Sequence, residues 1–117
     1  MLISEFQRII EDLYGDKDAS RGTAGTFMWL AEEVGELSRA LRRGDRAELE
    51  GEFADVFAWL STLASMHDVD LQAVAEAKYG RGCPRCEANP CVCAEPTPKH
   101  GAMGGEPGES SGAADEV

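Results

Sequence analysis

The sequence predicts an all-α chain: a four-helix bundle, then a short cysteine-rich knob and a disordered acidic tail. Three observations carry this. Apolar residues recur at three- and four-residue steps in successive stretches between positions 2 and 79. No stretch alternates with the two-residue period of a strand. From Ala94 onward, AEPTPKHGAMGGEPGESSGAADEV has no apolar period and is rich in Gly, Pro, Ser and acids.

Each element has its own signals. Leu2, Ile3, Phe6, Ile9, Ile10 and Leu13 form the apolar stripe of a first helix, and the polar run GDKDASRGTAG from Gly15 reads as a loop. The second helix spans Thr26 to Arg43 with Leu30, Val34, Leu37 and Leu41 inward, and Gly44 and Asp45 break it. The third spans Ala47 to Met66, with Leu49, Phe53, Val56, Leu60 and Leu63 inward. After HDVD, Asp70 caps a shorter fourth helix from Leu71 to Tyr79, closed by Gly80 and Gly82. The expected domains are a helical body over 1–82, a metal-binding knob over 83–93 and the tail over 94–117.

The chain has 117 residues and a formal net charge of −11, with 22 acids against 11 Lys and Arg. Its length fits one small domain. An acidic surface repels phosphate backbones and anionic bilayers, so neither nucleic acid nor membrane is expected as a partner. No run approaches the roughly 20 apolar residues of a membrane span. The N-terminus carries acids early and does not read as a signal peptide, which makes the cytoplasm the expected compartment.

Two segments, WLAEEVGEL and LEGEFADV, repeat one design. Leu30 matches Leu49, Glu33 matches Glu52, Val34 matches Phe53, Glu36 matches Asp55 and Leu37 matches Val56. On each helix the two acids share a flank beside the apolar stripe, with Trp29 or Trp59 one turn away. Like charges at this spacing repel. If the two helices are antiparallel neighbours, four carboxylates converge, and a divalent cation such as Mg²⁺ or Mn²⁺ removes the repulsion. The plainer account is a pair of solvated faces. It leaves unexplained why the design occurs twice and why these flanks lack compensating lysines. Each Trp is equally open to stacking a base or to packing a core.

EEVGEL followed by EFAD resembles the ExxE…ExxD signature of the MazG-like, all-α nucleoside triphosphate pyrophosphohydrolases, from about Gly22 to Arg81. The resemblance implies that Glu33, Glu36, Glu52 and Asp55 bind Mg²⁺, and that Glu32 holds a second metal or orients the attacking water. Glu32 and Glu33 are then the catalytic candidates. The implied reaction converts a nucleoside triphosphate, expected to be a deoxynucleoside one, to the monophosphate and pyrophosphate by direct attack of water. Trp29 and Trp59 are candidates for contacting the nucleoside. Lys78 and Arg81 stand where similar proteins carry a basic element; Arg21 and Lys17 are weaker phosphate candidates. The usual asparagine of that element is missing, and a Lys and Arg at a helix C-terminus are also favoured by its dipole. The resemblance further implies a homodimer or homotetramer, and Phe27, Met28 and Phe57 are compatible with an interface.

Cys83, Cys86, Cys91 and Cys93 lie in a C-x2-C-x4-C-x-C run. Four thiolates in so short a span suit one tetrahedral Zn²⁺, with two labile disulfides or an iron–sulfur cluster as alternatives. His67 and His100 are bystanders. The competing function is a non-catalytic helical module that binds a protein partner through knob and tail; such a module would tolerate loss of the acid quartet.

Overall fold

The computed structural model describes residues 1–95, so the expected tail falls almost entirely outside the described residues. Those residues form three helices and no strand: α1 (Ile3–Arg43), α2 (Arg46–Met66) and α3 (Leu71–Tyr79), with irregular chain after Tyr79. The expected count of four is corrected to three, because the polar run after Leu13 is helical rather than a loop. Nothing in that run excludes a helix outright except at one position. Gly22 takes φ 81° and ψ 172°, a conformation open to Gly but strained for other residues, and α1 kinks there. Arg21 braces the kink: its Nη1 donates to Asp18 Oδ1 at 2.8 Å on one side and to Thr26 Oγ1 at 3.3 Å on the other.

The remaining boundaries follow local chemistry. The Leu2 N–H donates to Glu5 Oε1 at 2.6 Å, satisfying a donor at the start of α1. Gly44 ends α1 in the left-handed region at φ 76°, its N–H bonding Ala40 O at 3.0 Å. Asp45 then caps α2 by accepting from the Glu48 N–H at 3.1 Å. Asp70 accepts from the Ala73 N–H at 3.2 Å, the cap expected for α3.

The chain divides into two compact units, Met1–Lys78 and a second beginning at Tyr79. In the first, α1 packs along α2. The contact is made close by small residues: Thr26 and Ser61 are fully buried, with Ala40 and Thr62 nearly so. The Ser61 hydroxyl satisfies itself on Phe57 O at 2.8 Å. Phe6 and Phe57 stack with centroids 4.8 Å apart. Of the expected inward stripes, Ile10 is buried, but Leu13, Val34, Leu41, Phe53 and Leu60 are exposed. Two packed helices cover only the faces they turn to each other.

Gln7 ties the start of α1 to the α2–α3 turn. Its Nε2 donates to Ser65 Oγ at 3.0 Å and Val69 O at 2.7 Å, and its Oε1 accepts from the Leu71 N–H at 3.0 Å. Gln7→Ala removes all three bonds and strands a backbone donor and acceptor. At about 1 kcal/mol per bond plus the cost of stranded groups, it should lower stability by about 3 kcal/mol, read by urea unfolding.

Candidate functional site

Glu33 and Glu36 are three residues apart on α1, and Glu52 projects from α2. Carboxylate oxygens of the three lie within 4.8 Å of one another, all on half-buried side chains. Glu52 Oε2 is buried with no hydrogen-bond partner. Partial burial first, then the charges of Glu36 and Asp55 and the adjacent Glu52 carboxyl, raise the Glu33 pKa above its ordinary 4.5. No Lys or Arg is paired with these acids among the described salt bridges. A buried oxygen with nothing to accept from, inside a knot of like charges, fits a hard divalent cation.

Asp55 stands apart from this trio. It is exposed and lines a neighbouring cavity of about 560 Å³ together with Glu33, Lys17, Arg21, Trp59 and Tyr14. Asp18, 6 % exposed, lies in the same wall. The Trp29 and Trp59 rings stack on each other, centroids 5.8 Å apart and 9° from parallel. The Arg21 guanidinium sits 4.8 Å from the Trp59 ring centroid. The cavity thus offers carboxylates, two basic side chains and an indole.

The duplicated segments therefore bring Glu33, Glu36 and Glu52 together, with Asp55 beside them. Glu32 is exposed and outside the trio. Trp59 lines the cavity, while Trp29, 48 % exposed, reaches it only through the stack. Lys78 lies in the last turn of α3 and is not in the cavity wall. Arg81 belongs to the second unit, where it pairs with Glu87 at 3.5 Å. The basic side chains lining the cavity are instead Lys17 and Arg21, which the sequence ranks lower. The signal that would have raised them is the helical phase: Leu13, Lys17 and Arg21 fall at four-residue steps once the run is read as helix.

In the second unit the Cys83, Cys86, Cys91 and Cys93 sulfurs also lie within 4.8 Å of one another. The backbone N–H groups of Val92 and Ala88 draw the Cys86 thiol down to about 6. Cys91, Cys83 and Cys86 push Cys93 up to about 12. Four thiolates this close cannot all ionise without a cation among them.

A family model described as the MazG nucleotide pyrophosphohydrolase domain matches residues 22–86, more than half of the chain, and that span contains both acidic segments. No curated protein matches the chain.

Proposed function

The chain belongs to the MazG nucleotide pyrophosphohydrolase domain family, and from that premise we propose that it hydrolyses a nucleoside triphosphate, most simply a deoxynucleoside one, to the monophosphate and pyrophosphate. The observation that carries the reading is the buried, unpartnered Glu52 Oε2 within the Glu33–Glu36–Glu52 cluster, beside a cavity with basic side chains.

Glu33, Glu36 and Glu52, with Asp55, would hold Mg²⁺ or Mn²⁺. Such a cation neutralises phosphate charge and lowers the pKa of a bound water. Glu33 faces the cavity, which places a carboxylate where it could take the proton of the attacking water. Glu32, on the same helix next to Glu33, is left the role of orienting that water. The reaction consumes one water and breaks the anhydride that joins the monophosphate to pyrophosphate. Lys17 meets the phosphates, and Arg21 both braces Trp59 and adds charge. Trp59, already stacked on Trp29 and covered by the Arg21 guanidinium, offers the nucleoside the ring edge it turns to the cavity. Lys78 and Arg81 are secondary candidates for the phosphate tail.

Lys17→Ala should raise KM about tenfold with little change in kcat, since one charge-assisted hydrogen bond is worth roughly 1.5 kcal/mol or more. The apolar surface left uncovered by α1 and α2 supports self-association, as a homodimer or homotetramer.

The test is a panel of ordinary and modified nucleoside triphosphates, with Mg²⁺ and with Mn²⁺, assayed for pyrophosphate against phosphate. Pyrophosphate release from a subset, lost in Glu36→Ala, supports the enzyme and gives its specificity. No release from any would favour a non-catalytic helical interaction module.

A further inference from the structure

Beyond the nucleotide reaction, and independently of it, we propose that Cys83, Cys86, Cys91 and Cys93 bind one Zn²⁺ as a tetrahedral tetrathiolate, and that this ion holds residues 79–95 in their fold. The sulfur geometry comes first. A Zn–S bond of about 2.3 Å sets tetrahedral S···S edges of about 3.8 Å. Cys83 and Cys93 Sγ are 3.7 Å apart, and Cys86 and Cys91 Sγ are 4.0 Å apart. Disulfide sulfurs stand at about 2.05 Å, and all four cysteines are free thiols. A cluster of two or more irons spreads its cysteine sulfurs wider than the edges of one tetrahedron.

The backbone around the quartet is shaped for the same purpose. The Glu87 N–H donates to Cys83 O at 2.7 Å, and the Cys83 N–H donates to Ala88 O at 3.1 Å, closing a turn over residues 83–88 that carries the first two cysteines. Gly82 enters it at φ 108°, where a Cβ would lie 2.9 Å from Ala88 O. Glu87 leaves it at φ 58°, a left-handed conformation uncommon for a residue with a side chain. Further backbone N–H groups point at sulfur: Val92 N to Cys86 Sγ at 3.4 Å, and Cys93 N to Cys91 Sγ at 3.3 Å. Such donors stabilise thiolates rather than thiols and orient them.

The described residues of the unit, 79–95, form no core. None of its described residues is buried, Tyr79 is 61 % exposed and Val92 73 %. Strained turns persist where something over-determines them. No apolar packing within residues 79–95 does so, which leaves the metal. Soft thiolates select zinc over magnesium, so this site and the carboxylate site take different ions. Zinc displaces the thiol protons on binding and leaves the centre with a net charge of −2.

The test uses the full chain purified under reducing conditions, with metal content measured by mass spectrometry. Wild type and Glu36→Gln/Glu52→Gln should each carry one Zn²⁺ per chain. Cys86→Ser and Cys93→Ser should each lose at least nine-tenths of it. Replacing zinc with Co²⁺ should give the sulfur charge-transfer and visible bands of a tetrahedral tetrathiolate. Removing zinc should collapse the amide dispersion of residues 79–95 while the helical signal of α1 and α2 survives. The proposal is overturned by zinc retained in the cysteine variants, zinc lost in the carboxylate variant, iron in place of zinc, no uptake from a zinc-containing buffer, or residues 79–95 unchanged after removal. None of these readouts depends on nucleotide turnover.

Discussion

Glu36→Gln and Glu52→Gln should each cut nucleotide turnover by roughly a thousandfold or more, while the helices stay folded and the metal-free protein gains stability. A bound cation supplies several kcal/mol of charge stabilisation to the transition state, and each 1.36 kcal/mol is about tenfold in rate. Either substitution replaces a charged ligand from the close trio with a neutral amide. The gain in stability comes from the same atoms, because Glu52 Oε2 is buried without a partner and the carboxylates repel one another. Glu33 gives the pH signature. Its folded-state pKa is raised, so its penalty is absent below the ordinary value of 4.5 and fully present above the folded value. Metal-free wild type should therefore lose melting temperature relative to Glu33→Gln as pH rises through that window. Saturating Mg²⁺ should remove most of the difference. Melting curves followed by circular dichroism, with and without Mg²⁺, read both effects beside a kcat measurement. Full activity in either variant would end the cation-cage reading.

Phe53→Glu should convert an assembled wild type to monomers and lower its melting temperature. Phe53 is 53 % exposed, Val34 49 %, Leu41 57 % and Leu60 41 %, although each sits at helical spacing in an expected inward stripe. An apolar stripe left open along a helix pair is what a second copy would cover. Burying a Phe-sized side chain contributes about 1.5–3 kcal/mol, counted twice in a symmetric dimer. Losing about 4 kcal/mol weakens association about a thousandfold, and burying the new charge adds to the loss. Sedimentation equilibrium on wild type and variant decides it. A monomeric wild type would show that the stripe serves something other than self-association.

The acids were legible in the sequence and the burial of the stripes was not, for one physical reason. Glu33, Glu36 and Glu52 could be placed together from the sequence because helical phase and a two-residue connection leave antiparallel neighbours little freedom. Burial could not be read in the same way. The sequence marks Val34 and Phe53 as apolar at helical spacing, but a pattern does not say whether the covering surface belongs to the same chain. The 15–25 run shows the opposite limit. Its polarity suggests a loop, yet polar residues are compatible with a solvated helix, and only Gly22 departs from one.

By itself the sequence determined the helical class, the breaks at Gly44–Asp45 and before Leu71, the duplicated acidic flank and the cysteine spacing. These depend on local period and capping, which act within a few residues. The tertiary structure decided what depends on long-range packing. It joined the first two expected helices into a kinked α1. It set Asp55 beside the carboxylate trio rather than within it. It put Lys17 and Arg21, rather than Lys78, into the cavity wall with Glu33 and Trp59. Which side chains share a cavity depends on how two helices pack, and no local signal carries that.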